Sequence, residues 1–116
     1  MNFVGRKVVV YGAGASGICA YELLREKGAR AIVYDDDPSR DRATNSVGVF
    51  KDADIIVLSP GVNPNKDFLL DARLENKIVT SELNLASSVC AAEQIAVTGT
   101  NGKTTTTMLI DHILKR

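Results

Sequence analysis

The chain has 116 residues, zero formal net charge and 45% hydrophobic residues. That length allows one domain with at most a piece of another, and the apolar content can supply a buried core. The neutral balance gives no electrostatic basis for binding nucleic acid or an anionic membrane; no apolar run reaches transmembrane length, and residues 1–7 lack a signal-peptide layout, so a cytoplasmic setting is expected. Cys19 and Cys90 fall in apolar, helix-like surroundings without metal-ligand spacing, and are expected to be buried free thiols.

Lys7 to Tyr11 (KVVVY) reads as a buried parallel strand that empties into Gly12-Ala13-Gly14-Ala15-Ser16-Gly17. Ile18, Tyr21 and Leu24 then recur at helical spacing until Gly28 closes the segment. Ala31 to Tyr34 reads as a second strand, followed by Asp35-Asp36-Asp37-Pro38. After a polar, turn-rich stretch, Val47 to Phe50 is expected as a short strand. Asp54 to Ser59 is expected as a buried strand stopped by Pro60-Gly61. Asn65 is placed to cap a helix carrying Phe68, Leu69, Ala72 and Leu74, and Lys77 to Thr80 reads as another strand. Ser81 is placed to cap a helix through Leu83, Leu85, Ala86 and Val89. Gln94 to Thr98 completes the strands, and Lys103 to Leu114 forms the final helix. Alternating strands and helices predict an α/β fold: a parallel sheet with helices on both faces, taking ligands beyond the carboxyl ends of its strands. Three loops leave strands there: 12–17, 59–61 and 99–104.

The first is Gly12-x-Gly14-x-x-Gly17 between a strand and a helix, with Asp35 ending the next strand 18 residues past the last glycine. Such glycines serve a tight turn, room for a phosphate-bearing ligand and close helix packing, so NAD is the default ligand on these residues alone. In Ser59-Pro60-Gly61 the proline holds Ser59 extended, and a hydroxyl and bare backbone then face the same crevice. The third loop, Gly99-Thr100-Asn101-Gly102-Lys103-Thr104-Thr105, joins a strand-like run to a helix start. It is shorter than the common phosphate loop, which would need glycine where Val97 stands. Its backbone is expected to cradle the phosphates of a nucleoside triphosphate, with Lys103 on the terminal phosphates and the Thr104 hydroxyl on Mg²⁺. His112, the only histidine, reads as a surface residue near a helix C-terminus, and the three aspartates at 35–37 as a solvated turn rather than a metal site.

Taken in order, KVVVYGAGASG, Asp35, VLSPG, TSELNLAS and AVTGTNGKTTTT resemble the N-terminal part of the UDP-N-acetylmuramoylalanine–D-glutamate ligases, the D-glutamate-adding branch of the Mur ligases of peptidoglycan synthesis. The resemblance implies a Rossmann-like substrate domain over residues 1–92. It also implies that residues 93–116 are the first strand, phosphate loop and helix of a truncated central ATPase domain. The first glycine turn would then hold the UDP end of UDP-N-acetylmuramoyl-L-alanine rather than NAD. Gly14, Ala15, Ser16 and Gly17 would meet the diphosphate–uridine region, Asp35 would accept from the uracil N3–H, and Ser59 and Gly61 would line the sugar–phosphate path. Lys103 and Thr104 would serve phosphorylation of the substrate carboxylate to an acyl phosphate, which the amine of D-glutamate then attacks.

The resemblance covers only about the first quarter of a typical family member, so this chain alone is expected to bind the UDP substrate without catalysing ligation. The final helix, with Met108, Leu109, Ile110, Ile113 and Leu114, is expected to pack on the first domain or on a second copy. The chain departs from the family in two ways. The stretch between Asp35 and Asp54 is short, and Asp36 and Asp37 put negative charge beside an anionic ligand, with weaker UDP binding as the consequence. A NAD-binding redox sensor, a phosphate-loop nucleotidase and a non-catalytic Mur ligase paralogue are the competing readings.

Overall fold

A computed structural model describes residues 1–116. Five parallel strands form one sheet: β1 (Lys7–Tyr11), β2 (Arg30–Tyr34), β3 (Ala43–Thr44), β4 (Ile55–Leu58) and β5 (Ile78–Ser81), in the order β3-β2-β1-β4-β5. The central strands β1 and β4 are apolar at almost every position because both of their faces are covered. Helices α1 (Ala15–Glu26) and α3 (Glu82–Val89) lie on one face, where Val8, Val10, Leu24, Ile55, Val57 and Leu85 are buried together. Helix α2 (Asp67–Leu74) and a 3₁₀ turn at Val47–Phe50 cover the other, where Val9, Tyr11, Tyr34, Phe50, Ile56 and Leu69 form the second core. The expected α/β, Rossmann-like parallel sheet with helices on both faces is therefore present.

Register explains the aromatic part of that second core. Tyr11 and Tyr34 are directly paired across β1 and β2, so both rings leave the same face at the carboxyl ends of their strands. Phe50 and Phe68 close over them, with ring centroids 4.6 to 6.2 Å apart across the cluster. This is why Val47–Phe50 coils into a 3₁₀ turn instead of the expected strand: the turn delivers the buried Phe50 ring beneath the tyrosines. The same short segment leaves part of this face thinly covered. Ile32, which is in register with Val9, is 47% exposed and borders a hollow of about 620 Å³ at the amino ends of the strands.

Other local expectations divide. Ser81 caps α3, its hydroxyl accepting from the Asn84 N–H at 3.2 Å. Asn65 does not cap α2; Lys66 occupies the N-cap position without a side-chain bond, and the Asn65 N–H instead donates to Asn63 Oδ1 at 3.0 Å. Leu85 is buried on α3, whereas Leu83, Ala86 and, on α2, Leu74 face solvent. Cys19 and Cys90 are free, as expected, but both are exposed: each lies on an outward-facing position rather than in the core.

The last quarter differs most. Gln94 to Thr98 is not a strand: no neighbouring strand is there to take its backbone groups, and the segment is largely exposed. Gln94 is tied back to α3, accepting from the Ser87 hydroxyl at 2.7 Å and donating to the Ser87 carbonyl at 3.1 Å. Helix α4 (Lys103–Leu114) forms as expected, but it buries no residue and does not pack on the sheet. Its projection lengthens the molecule to 50 × 30 × 30 Å, with a radius of gyration of 16.1 Å. A compact domain of this length would have a radius near ~13 Å. His112 is exposed on the last turn of α4, beside Arg116. No helix is long and apolar enough to cross a membrane.

Candidate functional site

The chain leaves β1 toward β2 on one side and β4 toward β5 on the other. The loops that follow β1 and β4 therefore diverge and open a crevice at the carboxyl ends of the sheet. A cleft of about 690 Å³ occupies it, walled by Gly12, Gly14 and Ser16 from the first loop and Ser59 to Asn63 from the second, with Asp35, Asp36, Arg40 and Lys66 around the mouth.

The three glycines of the first turn have different jobs. Gly12 has φ +119°, and a Cβ there would lie 2.5 Å from Ser59 Oγ; a Cβ on Gly17 would lie 1.8 Å from the Gly12 carbonyl oxygen. Backbone conformation and close packing therefore require glycine at both. Gly14 is otherwise. Its backbone is extended (φ −71°, ψ 178°) and a Cβ would meet nothing within 4 Å; Gly61 likewise faces open space. Both of these glycines line the cleft, so protein packing does not demand them, whereas close approach of a ligand to bare backbone would.

Gly14 is the N-cap of α1, with no side-chain cap and no acidic residue in the first turn. The leading N–H groups at Ala15, Ser16 and Gly17 thus have no side-chain acceptor from their own helix, and of these three residues Ser16 lines the cleft. Asp35 braces this turn: Oδ2 accepts from the Ala13 N–H at 2.7 Å and Oδ1 from the Asp37 N–H at 2.9 Å. Ser59 lines the cleft, but its hydroxyl proton is donated to Glu82, so toward a ligand it can only accept.

The expected repulsion from the aspartates is reduced by contacts that the sequence did not announce. Asp36 accepts from the Tyr11 hydroxyl at 2.5 Å and the Tyr34 hydroxyl at 3.1 Å, and pairs with Lys66 Nζ at 2.5 Å. The Lys66 ammonium also lies 5.3 Å from the Tyr11 ring centroid. The hydrogen bond from Lys66, followed by that from Tyr11, holds the Asp36 carboxyl below its ordinary range. The bond to Asp36 in turn raises Lys66. Burial, then the Asp36 contact, pushes the Tyr11 phenol up to about 12 and raises Tyr34 in the same direction. Asp37 points elsewhere: its Oδ1 accepts from the Ser39 hydroxyl at 2.7 Å and the Ser39 N–H at 2.9 Å, and its Oδ2 is 3.8 Å from Arg40. The three adjacent aspartates thus diverge to three different sets of partners.

The second candidate element is less complete. Gly99 and Gly102 have φ +151° and +77°, and the chain turns through Thr100 and Asn101 into α4. Lys103, Thr104 and Thr105 occupy its exposed first turn, which carries no acidic residue. The donor types suit phosphate and Mg²⁺. No strand stands behind the loop, and none of these residues reaches the first cleft.

No family model matches the chain. Individual relatives do. A UDP-N-acetylmuramoylalanine–D-glutamate ligase of Lachnoclostridium phytofermentans is 36% identical over 132 residues, covering 99% of this chain and 29% of the relative. The ligase of that name from Desulfitobacterium hafniense strain DCB-2 is 38% identical over 131 residues, covering 100% and 29%. That from Oenococcus oeni is 38% identical over 119 residues, covering 99% and 27%. The chain spans less than a third of the length of the curated relatives it matches. The first match is 132 residues long against 116 in the whole chain, so that relative carries at least 16 residues with no counterpart here. Over nearly its whole length, the chain corresponds to the N-terminal part of the UDP-N-acetylmuramoylalanine–D-glutamate ligase family.

Proposed function

We propose that the cleft between the loops after β1 and β4 binds the UDP end of UDP-N-acetylmuramoyl-L-alanine, the substrate that the relatives' name implies. The observation that carries this reading is the pair Gly14 and Gly61, bare backbone on the cleft wall where the protein itself has room for a side chain. In this reading the N–H groups at Ala15, Ser16 and Gly17 take the diphosphate. Gly61 passes the sugar, and Asp35 accepts from the uracil N3–H with the lone pairs that Ala13 and Asp37 leave free. Ser59, its proton committed to Glu82, accepts rather than donates.

The Gly99–Thr105 turn is proposed to serve ATP and Mg²⁺ in the complete ligase, Lys103 holding phosphate oxygens and the Thr104 hydroxyl the metal. ATP supplies the phosphoryl group that activates the substrate carboxylate for attack by the amine of D-glutamate. Residues 1–116 alone are proposed to bind the UDP substrate in the cytoplasm without ligating it. In support of this, the loop has neither a supporting sheet nor any buried helix residue behind it.

Titration calorimetry of the full chain tests both parts. Saturable heat is expected with UDP-N-acetylmuramoyl-L-alanine, none with NAD, and no phosphate release with ATP, substrate and D-glutamate together. Binding of NAD in place of the UDP substrate would overturn the assignment, and turnover would overturn the second part.

A further inference from the structure

The cleft has a charge balance that rests on a single lysine. Of the ionisable groups on its wall, Asp35 and Asp36 are acidic and Arg40 and Lys66 basic, and Tyr11 is neutral. Asp35 is already satisfied in part by two backbone N–H groups. Asp36 meets two phenol hydroxyls, which are neutral donors, and one full positive charge, Lys66. Arg40 is drawn toward Asp37 instead. We propose that Lys66 is the specificity-determining residue of this cleft: by neutralising Asp36 it permits a phosphate-bearing ligand, and its ammonium is the mobile cation such a ligand meets. The Lys66 ammonium lies 5.3 Å from the Tyr11 ring centroid and 5.9 Å from that of Phe68, which places it on this wall of the cleft, and its side chain is 32% exposed, so a phosphate entering the cleft can reach it. The acid beside Asp35, which would otherwise repel the diphosphate, thereby becomes the group that parks its counter-ion.

This inference rests on the reading that the cleft takes a uridine diphosphate compound, so the test uses UDP and, as an uncharged control, uridine. A unit charge about 6 Å from a phosphate, at an effective dielectric near 60, changes affinity about fivefold at low salt. In titrations of the full chain, Lys66→Met should weaken UDP binding about fivefold, and Asp36→Asn should strengthen it by a similar factor. Lys66→Arg should stay near the wild type, and uridine affinity should change less than twofold in every variant. The gap between UDP and uridine should narrow in 0.5 M salt, about a 4 Å screening length. Strengthening by Asp36→Asn is an outcome that loss of structure cannot mimic. If UDP and uridine shift together, or if neither variant moves UDP, Lys66 does not set specificity. If the wild type binds neither probe, the reading of the cleft itself fails, and this inference with it.

Discussion

Replacing Gly17 and Gly14 separately should uncouple the fold from ligand binding. A methyl group on Gly17 would stand 1.8 Å from the Gly12 carbonyl oxygen and 3.2 Å from Ser59 Oγ, so α1 must shift away from the turn. Overpacking of this kind costs about 1–3 kcal/mol, and a backbone oxygen cannot rotate aside as a side chain would, so the upper half of that range applies. The gain in helix propensity from Gly to Ala returns at most about 1 kcal/mol. A net loss of about 2 kcal/mol should lower the midpoint of thermal unfolding by roughly 8 °C for a chain of this size. A methyl group on Gly14 meets no protein atom within 4 Å. Gly14→Ala should therefore lower the midpoint by no more than about 4 °C, since replacing an N-cap glycine by alanine costs only a fraction of a kcal/mol to about 1 kcal/mol. The same methyl projects into the cleft and should weaken UDP binding at least tenfold if backbone and diphosphate come into contact, because a displaced diphosphate loses its short N–H bonds. Circular dichroism melts and UDP titrations on the two variants read both quantities. A Gly17→Ala protein as stable as the wild type would refute the packing argument, and full UDP affinity in Gly14→Ala would refute the role given to the open glycine.

Three further outcomes are expected. Leu85→Ala removes a fully buried side chain between α3 and the sheet and should cost about 2–4 kcal/mol, whereas Leu83→Ala, 78% exposed, should change stability by less than about 0.5 kcal/mol in urea denaturation. The Asp36 network should give stability a dependence on pH at both ends. The depressed carboxyl contributes above its unfolded value near ~4 and loses that contribution as pH falls through the lower folded value. The raised Tyr11 phenol contributes fully below about pH 10 and loses it as pH rises toward its folded value of about 12. Absorbance titration of phenolate should therefore show a late-ionising tyrosine that disappears in Tyr11→Phe, and an unchanged titration would count against the network. Deleting residues 103–116 removes a helix with no buried residue and should leave the melting midpoint of the sheet unchanged; a fall of more than about 4 °C, roughly 1 kcal/mol, would reveal packing of α4 that the structure lacks.

The sheet was readable because its central strands carry almost uninterrupted apolar runs, which only burial on both faces explains, and because glycine turns and caps punctuate them. Residues 7–11, 54–59 and 77–80 fall within a residue or two of β1, β4 and β5. Two strand expectations failed, and for different reasons. Val47 to Phe50 is apolar and β-branched enough to pass as a strand, but the aromatic cluster needed the Phe50 ring against the tyrosines, a tertiary demand invisible in four residues. Gln94 to Thr98 has strand composition and no strand beside it, and composition cannot supply a hydrogen-bonding neighbour. At the site, the glycines were legible by spacing, though not which of them packs and which stands open. Lys66 was illegible because its meaning lies in a contact with Asp36 thirty residues earlier.

The two glycine turns in this chain differ in what holds them, and that difference orders their expected affinities. The first is fixed before any ligand arrives: Gly12 N–H donates to the Tyr34 carbonyl at 2.8 Å, Ser59 N–H to the Tyr11 carbonyl at 3.0 Å, and Asp35 ties down Ala13. A ligand entering that cleft orders little backbone. The second turn has two glycines with positive φ, no strand behind it and an exposed helix ahead, so a nucleotide binding there must bring the ordering of several residues with it, at about 1–2 kcal/mol each. The same Gly-Lys-Thr chemistry is therefore strong or weak according to whether a sheet stands behind it. Within residues 1–116 only the cleft between the loops after β1 and β4 has that support, which is why substrate capture, and not phosphoryl transfer, is the activity proposed for them.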